Sequence, residues 1–184
     1  MDIKSFHSLA DDTIYFKALN IEDCTEIHNY ASDEEVSRFI GWNVMKTTEE
    51  TIEFIKEMIK RENEGTYFYA SVVLKSSGKV IGTVMLFNID KEARHAEVGY
   101  VFDKNYWGKG YGTKAVALIN DFAFISSKLN KLCARVVDAN EGSSRILLRN
   151  GYELEGRLRE QYYIQDKYYD SLQYAKFSHS LSGI

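Results

Sequence analysis

Up to residue 63 the apolar positions mostly recur at helical spacing, whereas from residue 67 they alternate or run together as strands do. TIYFKAL (13–19) is rich in β-branched and aromatic types and predicts a first strand, after which Asn20 caps a helix over 21–31. DEEVSRFIGW, acidic in its first turn, predicts a second short helical piece. Thr47 and Glu50 have capping-box spacing, and Ile52, Ile55 and Ile59 then share a face, so 48–63 reads as an amphipathic helix that Gly65 ends. YFYASVVL (67–74), a turn at SSGK, VIGTVMLFN (80–88) and RHAEVGYVF (94–102) read as consecutive antiparallel strands. An apolar-striped helix near 112–127 follows, then strand KLCARVVD (131–138), helix EGSSRILLRN (141–150) and strand GYELEGRLRE (151–160). YYIQDKYYD is the turn region of a second hairpin, SLQYAKF its last strand, and SHSLSGI is expected to fray.

The pattern predicts one α/β (α+β) domain over 1–184, its core about 11–178, with a mixed sheet. With 45% hydrophobic and 27% charged residues and no proline, repeat or linker, nothing argues for a second unit. No run of eighteen apolar residues occurs, and MDIKSFHSLADD has neither a basic nor an apolar leader region, so a soluble, cytoplasmic protein that does not engage membranes is expected. Cys24 and Cys133 lack CxxC spacing, and the four histidines lack metal-ligand spacing, so no metal is expected. Net charge is −4 with scattered Lys and Arg, which argues against nucleic-acid binding and makes an amine or other cationic partner the easier one to accommodate.

YWGKGYGTKA (106–115) places three of the 12 glycines at alternate positions before a helix, a pattern that brings backbone N–H groups close to an anion. A Walker loop is excluded, because the residue five after Gly108 is Thr113. A dinucleotide fingerprint fits poorly: the spacing is GxGxG, separated from its strand by DKNYW, although Asp138 ends the next strand where such a fold would welcome it. A simple turn and helix cap with no ligand is the bland alternative.

AEVGYVFDKNYWGKGYGTKAVALINDFAF, followed by VVDANEGSSRILLRNGYELEGRLRE, resembles the GNAT superfamily of N-acetyltransferases, especially its ribosomal-protein N-terminal acetyltransferase (RimJ/RimL-like) branch. Trp107 stands where the superfamily's pyrophosphate loop usually has Gln or Arg, ahead of Gly110 and Gly112, and Asn140, Ser143, Arg145, Gly151 and Tyr152 match the branch's second block. The resemblance implies a mostly antiparallel central sheet flanked by helices, and an acetyl-CoA-dependent N-acetyltransferase that transfers directly to a primary amine. It implies cofactor contacts from Val101, Phe102, Trp107, Gly108, Lys109, Gly110, Tyr111, Gly112, Thr113, Asn140, Ser143 and Arg145.

For catalysis it implies Glu97 as base, Glu160 as the rival carboxylate and Ser143 as proton donor to the leaving sulfur, since Leu147 stands where many relatives have tyrosine. Each has a bland reading, a solvated strand carboxylate or first-turn helix polarity. Arg38, Trp42 and Glu97 are implied on the acceptor side, and the tyrosines of 162–169 either line an acceptor slot or pack across their hairpin. His95 shares a strand face with Glu97, where it either tunes the acceptor pocket or is merely an exposed histidine, and Cys133 reads as a small buried hydrophobe rather than a nucleophile. The acceptor stays open between a protein N-terminus and a small-molecule amine such as a polyamine, an amino acid or an antibiotic. Homodimerisation is an expectation by analogy. A non-catalytic acyl-CoA-binding module and a nicotinamide enzyme are the competing classes.

Overall fold

The antiparallel alternation read from residue 67 onward builds most of a seven-stranded sheet, in a computed structural model that describes residues 1–41 and 43–181. Strands β1 (Ile14–Lys17), β2 (Phe68–Leu74), β3 (Val80–Asp90), β4 (His95–Phe102), β5 (Lys131–Val137), β6 (Glu153–Ile164) and β7 (Lys167–Phe177) lie in the order β1-β2-β3-β4-β5-β7-β6. Every neighbouring pair is antiparallel except β4–β5, so the sheet is mixed and mostly antiparallel, as expected. The second hairpin is longer than read: its strands run up to Ile164 and on from Lys167, and only Gln165 and Asp166 turn, at φ +49° and +59°. Two left-handed residues make the tight turn that matches strand twist, and here they occur without glycine.

Helices cover both faces. On one side α1 (Ile3–Phe6), α5 (Tyr111–Asp121) and α6 (Glu141–Arg149) bury Phe6, Val116, Ile119 and Leu147 against Phe16, Val84 and Leu132. On the other, α2 (Cys24–Ala31), α3 (Glu34–Ser37) and α4 (Thr48–Asn63) bury Ile27, Tyr30, Val36 and Ile55 against Tyr69, Val73 and Val101. Asn20 caps a 3₁₀ turn leading into α2 rather than α2 itself. The Thr47 hydroxyl accepts from the Glu50 N–H at 3.2 Å, but Glu50 reaches back to the Lys46 N–H at 2.6 Å, one residue before the usual box partner. After Asp121, α5 widens into one π-helical turn (Phe122–Ser126), closed by Ser127 N–H on Phe122 C=O at 2.8 Å.

The short α1 was not visible in the periodicity; Asp2 caps it through the Lys4 and Ser5 N–H groups. Just beyond it, His7 Nε2 lies 3.2 Å from Glu62 Oε1 and 2.9 Å from the Tyr69 carbonyl, joining the N-terminus to α4 and β2. The hydrogen bond to Glu62 holds the His7 pKa above its ordinary value, against the opposing effect of burial. A raised histidine pKa contributes stability fully below the unfolded value near 6.5 and loses it as pH climbs through the folded value. Wild type should therefore lose about 1 kcal/mol relative to His7→Gln between pH 6 and pH 9 in paired thermal melts. Parallel curves for the two proteins across that range would remove the ion pair from the stability balance.

Candidate functional site

β4 and β5 pair only at His95–Lys131, Ala96–Leu132 and Glu97–Cys133. Beyond that point β4 stays registered with β3 as far as Phe102–Gly82, while β5 stays registered with β7 through Val137–Ser171. Each strand follows its other neighbour and the sheet opens. From Val98 onward, the β4 edge facing β5 has no ladder partner among the described residues. It is a ready edge for an extended ligand carrying amide groups.

At the open end, the chain leaves β4 through a turn in which Asp103 accepts from the Asn105 N–H at 2.8 Å. The Trp107 indole N–H donates to the Phe102 carbonyl at 2.7 Å and pins the loop back on its strand. Gly108 and Gly110 adopt φ +73° and +84°, and Gly110 is the N-cap of α5 with no side chain closing the first turn. Gly112 serves a different need: a Cβ there would lie 2.6 Å from Ile146 Cδ1, so its absence lets α5 pack closely on α6. Lys114 is taken up by Asp12, Thr13 and Asp11 at 2.8, 2.8 and 3.4 Å, leaving the loop's binding capacity to the backbone. Uncapped N–H groups at the start of an eleven-residue helix fit a pyrophosphate. Gly110→Ala forces a side chain into the left-handed region, so it should cost about 1–2 kcal/mol of stability and weaken CoA binding roughly tenfold by calorimetry. Unchanged affinity would argue against this loop as the phosphate site.

Two cavities flank the split. The smaller, about 490 Å³, is walled by the glycine loop, the end of β4 and the first turns of α6; the larger, about 830 Å³, lies between the parted strands and is closed by α3 and the β6–β7 turn. They share a wall of six residues: Arg38, Phe39, Ile40, Tyr100, Asn140 and Ser143. Lys104 reaches Asp33 at 2.5 Å and ties α3 to the loop beneath it. Of the expected cofactor contacts, all except Lys109 line the smaller cavity. Lys109 instead donates to the Asn105 carbonyl at 2.9 Å and lies over the Tyr106 ring.

Asn140 Oδ1 is occupied in capping α6, accepting from the Ser143 N–H at 3.1 Å. Arg145 pairs with Glu141 one turn back, at 2.9 Å. Arg149, which the sequence reading missed, also lines the smaller cavity and has no ion-pair partner among the described residues. The more consequential omission is Tyr100. Its hydroxyl lies 2.9 Å from Ser143 Oγ and donates to the Ser143 carbonyl at 3.1 Å. Burial pushes its pKa far above the ordinary phenol value, outweighing the lowering by Ser143, so it keeps its proton.

On the acceptor side the expected residues separate. Glu97 lines the larger cavity, but Oε1 accepts from Asn88 Nδ2 at 2.8 Å and Oε2 from Arg135 Nε at 2.9 Å. Arg38 lines both cavities, and Trp42 lies outside the described residues. Glu160 sits at φ +51° in an irregular stretch of β6, exposed, its N–H donating to Asp170, and it lines neither cavity. That bulge carries it away from the position expected from EGRLRE. Tyr162 and Tyr163 border the larger cavity, while Tyr163 also packs on Tyr168 across the hairpin at 4.8 Å, so both readings of the tyrosines have a place. His95 and Cys133 line neither cavity, and burial pushes the Cys133 thiol up, which disfavours a thiolate. Among the described residues no three His, Cys, Asp or Glu side chains gather as a metal site, and no helix is long and apolar enough to cross a membrane.

A family model described as "Acetyltransferase (GNAT) domain" matches residues 13–153. The probable N-acetyltransferase YjcK of Bacillus subtilis is 33% identical over 83% of this chain and 87% of its own length. Spermidine N(1)-acetyltransferase of Escherichia coli is 25% identical over 91% and 87%, and the ribosomal-protein-serine acetyltransferase of the same organism is 32% identical over only 53% and 55%. Among solved structures, an acetyltransferase (GNAT family) from Bacillus anthracis superposes with a TM-score of 0.81 at 23% identity, over 93% of this chain and 98% of that one.

Proposed function

This chain belongs to the GNAT acetyltransferase family and is an acyltransferase whose cosubstrate is acetyl-CoA; on that premise we propose direct N-acetylation of an α-amine held in the larger cavity. The observation that carries the reading is the shared wall, on which Tyr100 and Ser143 place two hydroxyl groups at the junction of both cavities. When bound, acetyl-CoA supplies a thioester carbonyl for amine attack and a sulfur leaving group. The glycine loop and α5 N-terminus hold the phosphates, with Arg149 nearby. The unpaired β4 edge near Val101 aligns the arm and offers backbone N–H groups to the carbonyl. Tyr100, with Ser143, keeps a transferable proton beside them. No cysteine borders either cavity, which favours transfer without an acyl-enzyme.

An α-amine is favoured because Glu97 takes a proton only by giving up part of its hold on Arg135. Amines that titrate near 7.7–8.0 need a base far less than lysine-like amines near 10.4. A protein N-terminus of the ribosomal type supplies such a group; the spermidine-acetylating relative keeps a polyamine as the second reading. The direct test measures CoA release with a Ser-initiated peptide and with spermidine, varying both substrates. Intersecting initial-velocity lines with the peptide are expected, whereas parallel lines would indicate an acyl-enzyme and overturn direct transfer. Glu97→Gln should cost less than about tenfold in kcat on the peptide, with a larger loss on an ε-amine. A hundredfold loss on the peptide, with disappearance of the acidic limb of the kcat profile, would make Glu97 the base after all.

A further inference from the structure

We infer that Arg38 recognises a carboxylate on the acceptor, so the preferred substrate carries its α-amine and a carboxylate in one molecule; this rests on the larger cavity being the acceptor site. Four charged side chains line that cavity: Glu34, Arg38, Glu97 and Arg135. Glu97 and Arg135 neutralise each other at 2.9 Å. Glu34 stands one helical turn before Arg38, yet Arg38 forms no ion pair among the described residues. Its guanidinium is nevertheless held in place. The carbon at its centre lies 4.9 Å from the Phe39 ring centroid, and Nη2 donates to the Tyr169 hydroxyl at 3.2 Å. Tyr169 is itself buried and meets the Phe39 ring edge-on at 5.9 Å, so the clamp is an aromatic pair.

A phenyl ring and a phenol orient the cation without supplying a formal negative charge. Guanidinium offers five N–H donors in a fixed fork, and the bond to Tyr169 uses one. A carboxylate completes that fork with two parallel charge-assisted bonds. The location makes this selective, since Arg38 belongs to the wall that also carries Tyr100 and Ser143. An anion seated there orients the rest of the acceptor toward the junction. The same charge works against a polyamine near the junction, where the Glu97–Arg135 pair offers its cations no free carboxylate; Glu34 is the one carboxylate of the lining without an ion-pair partner among the described residues. At about 830 Å³ the cavity lies toward the upper end of the usual range for small-molecule sites, which suits the first residues of a peptide better than a single amino acid.

The test titrates CoA-saturated protein calorimetrically with two C-terminally amidated peptides that differ only in Glu or Gln at the second position, Ser-Glu-Ala-Ala-NH2 and Ser-Gln-Ala-Ala-NH2, so that the Glu side chain is the single carboxylate between them, and with free glutamate. The Glu peptide should bind at least about fivefold tighter than its Gln twin, Arg38→Gln should bring the ratio to about one, and Arg38→Lys should keep part of it. CoA affinity should be unchanged in both variants. Free glutamate binding as tightly as the peptide would identify an amino acid as the carboxylate's source, and weaker binding would identify the peptide. Equal binding of the twins by wild type, a ratio that survives Arg38→Gln, or a loss of CoA affinity in that variant would each overturn the inference. CoA release measured alongside separates the two levels: discrimination without release upholds the role of Arg38 and sinks the transfer reading, and release without discrimination does the reverse.

Discussion

Replacing Tyr100 by phenylalanine is expected to lower kcat by on the order of a hundredfold while leaving CoA affinity within about twofold. The phenyl ring stays packed against the core residues behind β4, so binding surface is preserved, and the change removes a proton and its hydrogen bonds. Ser143→Ala should have an effect of similar size, because each hydroxyl is the other's partner at 2.9 Å. The double variant should then be scarcely worse than the weaker single variant, as residues acting through one hydrogen bond are not additive. The pH profile supplies a further check. Burial raises the Tyr100 pKa, and a raised phenol remains a donor throughout the range below its ordinary value near 10. Wild-type kcat should therefore show no alkaline decline below about pH 9.5 that Tyr100→Phe abolishes. A Tyr100→Phe enzyme with near-normal kcat, or a loss confined to KM, would return Ser143 to the role of a helix-cap neighbour.

That tyrosine also shows where a linear reading stops. The glycine loop was legible because its demand is local: left-handed φ at Gly108 and Gly110 and an uncapped helix start can be anticipated from spacing. Asn140 and Ser143 were legible through the resemblance of their block to the family's motif, and the structure sets them three residues apart at the start of α6. Tyr100 reads as an ordinary inward-facing strand residue, and its partner lies 43 positions further along. Its exposure to both cavities depends on β4 and β5 parting after Glu97, and no local alternation encodes where two strands cease to pair. Glu97 illustrates the converse. Its place on the acceptor side was implied by the family resemblance, but its engagement by Arg135 depends on a neighbouring strand 38 residues away. Glu160 was expected at the acceptor side from the resemblance of EGRLRE alone, and a motif match carries no information about the irregular stretch of β6 in which it sits.

The same blindness to distant contacts hid the strongest expected determinant of stability. Phe6→Ala should destabilise the fold by about 3–5 kcal/mol and lower Tm by about 10 °C. A four-residue helix has too few positions to show a period, so α1 went unread, yet Phe6 is 0% exposed. Its ring meets those of Phe122, Phe68 and Phe16 edge-on, with centroids 5.2, 5.6 and 5.8 Å apart, joining α1 to the start of the π-helical turn and to two strands. Truncation removes the whole ring from a site whose other walls belong to a sheet and a long helix, which cannot collapse to fill it. Phe6→Leu keeps most of the volume and should cost roughly a third as much. The effect reaches the site through a short path: the chain after α1 carries Asp11 and Asp12, which hold Lys114 in the first turn of α5 beside the glycine loop. Phe6→Ala should therefore also weaken CoA binding by a few-fold at 15 °C, where the variant is still folded, and Lys114→Gln should reproduce that loss without the drop in Tm. A Phe6→Ala melt within about 2 °C of wild type would mean that α1 only lies on the core instead of completing it.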